Sequence, residues 1–176
     1  MLDTLTRSGI TILRARPYEE VRKLCHDIKD CKPLHEYGKE LFRVVNSLPR
    51  DSILIPVPGR SGIAVATLRL AVILQDIAFQ QGKSCRIADC LRSNPHGSLY
   101  EVKKAGADPS SVPLRMYLHG LSRAHFIESE ASGCVPVLLD NIIDTGMTMR
   151  SAIRATGIKT LLAVGDTGNW KSTSPG

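Results

Sequence analysis

No apolar run in this chain reaches the roughly 18 to 20 residues that a membrane-crossing helix needs. The opening residues, MLDTLTRSGI, show no basic stretch followed by an apolar segment of the kind that directs secretion. No membrane partner is expected, and the expected location is cytoplasmic. The five cysteines, Cys25, Cys31, Cys85, Cys90 and Cys134, are odd in number and contain no CxxC pair. That argues against a zinc ribbon or a thioredoxin-like redox centre and leaves reduced thiols. His96, His119 and His125 lack the spacing of metal ligands, so no role is assigned to them. There is no GK[ST] ending of a Walker loop and no GxGxxG, which argues against a nucleotide triphosphatase and a dinucleotide enzyme. Nor is there a run of five basic residues, although the net charge is +6. Dispersed positive charge suits a polyanionic partner. Phosphorylated small molecules fit it, and nucleic acid is compatible with it without being indicated.

What is present is an ordinary globular composition, 43% hydrophobic and 23% charged over 176 residues, enough for one domain with its own core. Residues 1–50 read as N-terminal helices and a small hood, 51–168 as the core, and 169–176 as a tail. ITILR (10–14) reads as a short strand. Pro17 opens an amphipathic helix through residue 30, with acids early as helix starts prefer. A second helix is expected over 34–47. SILIPV (52–57) reads as a buried strand that runs through PGRSG into a long helix ended by Gly82. A strand follows near 84–89. Residues 91–132, polar and broken by Pro and Gly, have the length of a lid. The strand 135–139 then passes through a DNIIDTG turn into a helix over 147–156, closed by Gly157, and 159–165 is a further strand. Strand, helix, strand in this order predicts an α/β fold with a mostly parallel central sheet and flanking helices. Ligands of such sheets sit at the carboxyl ends of the strands.

Two strand-to-helix turns there carry the chemistry: Pro58-Gly59-Arg60-Ser61-Gly62 and Asp144-Thr145-Gly146-Met147-Thr148. In both, small residues let backbone N–H groups converge at a helix N-terminus, a ready phosphate site. Asp140 and Asn141 precede the second turn, where a carboxylate can accept hydrogen bonds from sugar hydroxyls. A sugar phosphate would bridge the two.

The stretch LLDNIIDTGMTM resembles the phosphoribosyl diphosphate signature of the type I phosphoribosyltransferases, most closely the hypoxanthine-guanine branch, over about a dozen residues. The IPVP opening is similar to that of the competence-associated branch. The resemblance implies that Asp140 and Asn141 hold the ribose 2′- and 3′-hydroxyls, and that Asp144, Thr145, Gly146, Met147 and Thr148 wrap the 5′-phosphate. Asp144 would also be the catalytic base. Gly59, Arg60 and Ser61 fall where the family keeps its pyrophosphate loop. The implied partners are phosphoribosyl diphosphate and a nucleobase or nucleotide. The implied cofactor is Mg²⁺ carried by the diphosphate, with no direct protein ligand, and a homodimer is common in such proteins. Arg92, Lys103, Lys104 and Arg115 would ride on the lid. Asn141 departs from the family, which keeps a second acid there.

Other readings compete. Asp, Asn, Thr and Gly all favour turns for local reasons, and Asp144 could cap the helix that follows it. PGRSG could be a plain tight turn. Trp170 could stack on a base or pack back on the domain. The repeat of Asp-Thr-Gly at 144–146 and 166–168 raises an aspartic protease, which would be all-β. A non-catalytic regulator that senses phosphoribosyl diphosphate or a nucleotide, with a basic surface for nucleic acid, keeps the fold and drops the chemistry.

Overall fold

The computed structural model describes residues 4–7, 9–13, 16–120, 127–128 and 130–170. His125, a few residues of the expected lid and most of the expected tail lie outside the described residues.

The three most aliphatic runs form β4 (Asp51–Pro56), β8 (Val135–Ile143) and β9 (Thr160–Asp166), and they lie together in the middle of the sheet. Strands covered on both faces need such runs. On the β9 side follow β2 (Ile10–Leu13) and then β1 (Thr4–Arg7), while β5 (Ser84–Ile87) closes the β4 side. A two-residue β3 (Arg16–Pro17) pairs with the far end of β9. Every pairing in this sheet is parallel except β1 with β2. The architecture is therefore α/β with a mostly parallel central sheet, as the element order predicts.

Alternation along the strands sorts the core into two layers. Leu54, Val137, Leu139, Leu162 and Val164 pack on one face with α1 (Tyr18–Lys29), α2 (Gly38–Asn46) and α3 (Ala66–Gln80). The helices of the N-terminal stretch thus lie on this core face beside α3. Ile53, Ile55, Leu138, Leu161 and Ala163 face the other way, towards Met149, Ala152, Leu91, Met116 and Trp170. That second layer comes from residues 91–118 and from the helix after β8. Residues 91–118 fold as β6 (Leu91–Ser93), α4 (Leu99–Lys104), a 3-10 turn at Pro109–Ser111 and β7 (Met116–Leu118), with β6 and β7 antiparallel. Ser98 starts α4 by accepting the Glu101 N–H at 3.2 Å. The helix after β8, α5 (Met147–Thr156), ends at Gly157, whose φ of +76° is left-handed.

Three boundaries differ from expectation. The second helix begins as a 3-10 turn at His35–Tyr37. The long helix begins at Ala66, because the chain from 58 to 65 is held as a loop on β6. Most consequential, β8 does not stop at Leu139. It runs on to Ile143, so Asp140 and Asn141 lie inside a strand and not in a turn. Here β9 continues alongside (Asp140 opposite Ala163, Ile142 opposite Gly165, Ile143 opposite Asp166), whereas β4 ends opposite Leu139.

Candidate functional site at the carboxyl ends of β4, β8 and β9

Where β4 leaves, β8 keeps a partner on one side only. The last bond across is Val57 N–H to the Leu139 carbonyl at 2.9 Å. The Asn141 N–H donates instead to Asp140 Oδ1 at 2.7 Å. The Asp140 side chain thus supplies an acceptor just past the point where the neighbouring strand ends, a local reason for an acid in mid-strand. Its second oxygen makes no hydrogen bond among the described residues. Burial pushes the Asp140 carboxyl up to about 7, against the opposing pull of the Asn141 N–H. A carboxyl poised near neutrality at a sheet edge is the profile of a proton-transferring group. The sequence suggested only a ribose contact there, and nothing in the residue pattern signals the shift, because it comes from enclosure.

Asn141 is buried and turned onto α1: its Nδ2 donates to the Cys25 carbonyl at 2.7 Å. Its Oδ1 is buried without a partner among the described residues. The structure therefore does not bring the Asn141 amide out beside Asp140 as a free hydroxyl-binding group. Cys25 beneath it is an inert thiol, pushed up to about 12 by burial and by the Asp140 charge.

The turn after β8 behaves as a cradle. Gly146 has a φ of +77°, and a Cβ there would lie 2.4 Å from the Trp170 ring, so only glycine fits. No side chain caps the N-terminus of α5, which leaves its first amides open to an anion. Thr145, Met147 and Thr148 are half-buried around it. Trp170 is buried against this turn, with the Arg150 guanidinium 5.5 Å above its ring. It packs back on the domain, and in this arrangement it forms the wall of the cradle.

Asp144 does not cap α5; that place belongs to Gly146. Its Oδ1 accepts from Thr167 Oγ1 at 2.7 Å and from Asn169 Nδ2 at 2.6 Å, and Lys103 of α4 reaches both its oxygens at 3.2 Å. Burial works against ionisation, but the bonds from Asn169, Thr167 and Lys103 outweigh it and hold the carboxyl below its ordinary value. A carboxylate so occupied is a poor proton acceptor until Lys103 lets go. The repeated Asp-Thr-Gly is thereby explained. Thr167 steadies Asp144, while Asp166 accepts the Gly168 N–H at 2.8 Å in its own turn. With an α/β fold the aspartic-protease reading falls.

The first turn lies next door, because Pro56 is opposite Leu139. Gly59 and Gly62 close it with backbone bonds to Ile63 and Gly59, both at 3.0 Å. It is sewn to β6 by Ser93 N–H to Gly62 O at 3.0 Å and His96 N–H to Arg60 O at 3.1 Å. A Cβ on Gly62 would come within 2.4 Å of the Ser93 carbonyl. Gly59, Arg60 and Ser61 are exposed at its tip. Of the expected lid cations, Lys103 reaches the site, Arg92 is paired with Asp89 at 2.7 Å, and Lys104 and Arg115 are exposed. Among the described residues no three His, Cys, Asp or Glu side chains gather as a metal site.

Compared with known proteins, the chain matches no protein-family model, and no curated protein matches it at a significant level.

Proposed function

We propose that this protein transfers a 5-phosphoribosyl group between phosphoribosyl diphosphate and a nitrogenous base, with pyrophosphate as the leaving group. The observation that carries the reading is the juxtaposition of Asp140 with the uncapped, glycine-built N-terminus of α5 on one strand end. Asp140 would take a ribose hydroxyl, the amides of 146 to 148 and the hydroxyls of Thr145 and Thr148 the 5′-phosphate, and Gly59, Arg60 and Ser61 the diphosphate. Mg²⁺ carried on the diphosphate would supply charge neutralisation of the leaving group. Arg60 at the loop tip adds fixed positive charge on the same side. Asp140, held near neutrality, is better suited than Asp144 to exchange a proton with the incoming or departing base. Asp144 anchors the turn.

Isotope-labelled phosphoribosyl diphosphate with Mg²⁺, incubated with a panel of nucleobases, should release pyrophosphate with at least one of them, and Asp140→Ala should abolish the release. Binding of phosphoribosyl diphosphate with no release for any base favours a second reading, a non-catalytic sensor of that compound or a nucleotide. One observation supports that alternative: the Asn141 Nδ2 is committed to the Cys25 carbonyl and its Oδ1 is buried.

A further inference from the structure

The order of the strands decides which part of the site faces the base. β8 lies between β4 and β9. The turn at 58–62 follows β4, whereas residues 167–169 follow β9 on the opposite side. Displacement at the sugar carbon is in line: the base nitrogen forms its bond to that carbon as the bond to the diphosphate oxygen breaks. Base and leaving group therefore stand on opposite sides of the ring. With the phosphate and ribose on the end of β8 and the diphosphate towards β4, the base lies over the end of β9.

Three side chains meet there. Asp144 links the other two, bonded by Lys103 from α4 and by Asn169 from the end of β9. Its Oδ1 is crowded, accepting from Asn169 at 2.6 Å, Thr167 at 2.7 Å and Lys103 at 3.2 Å. Its Oδ2 accepts only from Lys103 among the described residues, at 3.2 Å. The Thr167 hydroxyl is occupied in both directions, donating to Asp144 and accepting the Asn169 N–H at 3.4 Å. The carboxylate, held ionised by its donors, can only accept. The Asn169 amide must then present its nitrogen to Asp144, which turns its Oδ1 away from the carboxylate. That oxygen accepts no hydrogen bond among the described residues, and Asn169 is exposed. Lys103 directs two N–H groups at Asp144 and keeps a third. Across the site the free groups thus run donor, acceptor, acceptor: Lys103, Asp144 Oδ2, Asn169 Oδ1.

We infer that Asn169 is a specificity-determining residue, which with Asp144 and Lys103 selects a base whose ring edge carries an oxo group, a ring N–H and an exocyclic amino group in a row. The inference rests on the binding of a phosphoribosyl compound proposed above. The oxo group accepts from Lys103, the ring N–H donates to Asp144 and the amino group donates to Asn169. Guanine has this edge. Hypoxanthine has no amino group for Asn169, and xanthine sets an oxo group against it, acceptor facing acceptor. Adenine reverses the other two positions, with an amino group against Lys103 and a bare ring nitrogen against Asp144. Mismatches that leave polar groups opposed discriminate more strongly than a missing contact does. Resemblance to the hypoxanthine-guanine branch does not separate those two bases, whereas the fixed Asn169 oxygen does.

Calorimetric titration of the full chain with the 5′-monophosphates of guanosine, inosine, xanthosine and adenosine tests this without requiring turnover. The guanosine nucleotide should bind more tightly than the inosine nucleotide by about tenfold, the scale of one well-oriented hydrogen bond. The other two should bind more weakly still. Asn169→Ala should remove the preference for guanosine over inosine. Lys103→Met should weaken both and keep their ratio, because the two bases share the oxo group. If Asn169→Ala weakens both nucleotides alike with the ratio intact, Asn169 only holds Asp144 and the inference falls. It falls too if the native chain prefers inosine or adenosine, and pyrophosphate release with the preferred base would then leave the transfer reaction standing. Failure of all four nucleotides to bind overturns it as well, and takes the proposed function with it only when phosphoribosyl diphosphate also fails to bind.

Discussion

Asp140 makes the pH dependence of this molecule predictable at the level of one side chain. Its carboxyl is raised from 3.8 to about 7 in the folded state. The folded chain therefore holds a proton that the unfolded chain has already released over that window. The stability this gives is fully present below the unfolded value, declines as pH rises through the window, and is gone above about 7. The total is at most a few kcal/mol, at 1.36 kcal/mol per unit. Asp140→Asn keeps the acceptor for the Asn141 N–H but cannot ionise. Urea denaturation at pH 5 and pH 8 should show the native chain losing stability between the two, and the variant losing less by a few kcal/mol. An identical loss in both would mean that another group is responsible.

A second prediction concerns the neighbour. Replacing Asn141 by Asp restores the pair of acids seen in the family the motif resembles, and from sequence alone it looks like a gain. The structure argues the reverse, because the new side chain lacks the amide that serves the Cys25 carbonyl and brings a charge beside it. Asn141→Asp should lower stability by about 2–4 kcal/mol, the scale of a lost buried bond plus an unpaired buried charge, and should not raise turnover. Thermal melting together with the pyrophosphate assay would decide. A more active and equally stable variant would sink this account.

Among the elements, α2 depends on a residue far along the chain. The Lys83 ammonium donates to the carbonyls of Val45 at 2.8 Å, Asn46 at 3.1 Å and Leu48 at 2.7 Å, gathering the chain at the carboxyl end of the helix. Burial lowers its pKa, with the neighbouring Cys85 pulling the other way. Lys83→Met retains the stem and removes the charge. It should cost about 1–3 kcal/mol, as for a charged hydrogen-bonding group lost from a part-buried site. Amide exchange at 44–48 should accelerate before that of β8. The element scale is also where sequence reading succeeded and failed. Helix α5 and its Gly157 stop, α1 and the central strands were legible, because periodicity and glycine punctuation are local signals. The length of β8 was not. Asp140 and Asn141 look like a turn to local chemistry, and only the continued presence of β9 beside them keeps the backbone extended. The side-chain order slips there too, Leu139 and Ile142 both packing towards the helices of one face and Leu138 and Ile143 towards the other. No single-strand pattern contains that.

At the scale of the whole molecule, the stretch 91–118 is joined to the sheet crevice by one long-range charged contact among the described residues, Lys103 with Asp144. Lys103 is exposed and Asp144 half-buried, so the pair adds little to global stability, about 0–1 kcal/mol. What it holds is position. Lys103→Ala should leave the denaturation midpoint nearly unchanged while amides of 99–106 exchange faster. The same residues of β8 should keep their protection. Loss of global stability instead would show that the contact supports the core. The candidate site as a whole was half legible. The two turns, Asp140 and Lys103 as a lid cation were named from residue type and order, whereas Thr167 and Asn169 were not, since they reach Asp144 from 23 and 25 positions away. Only the folded chain sets them side by side.

The chain has a single tryptophan, and its indole lies flat against the one glycine that shapes the cradle. Whatever settles on that turn must alter the electric environment of the ring. Occupancy is therefore legible in the colour and intensity of the protein's own ultraviolet emission, without label or coupled assay, even when no reaction follows.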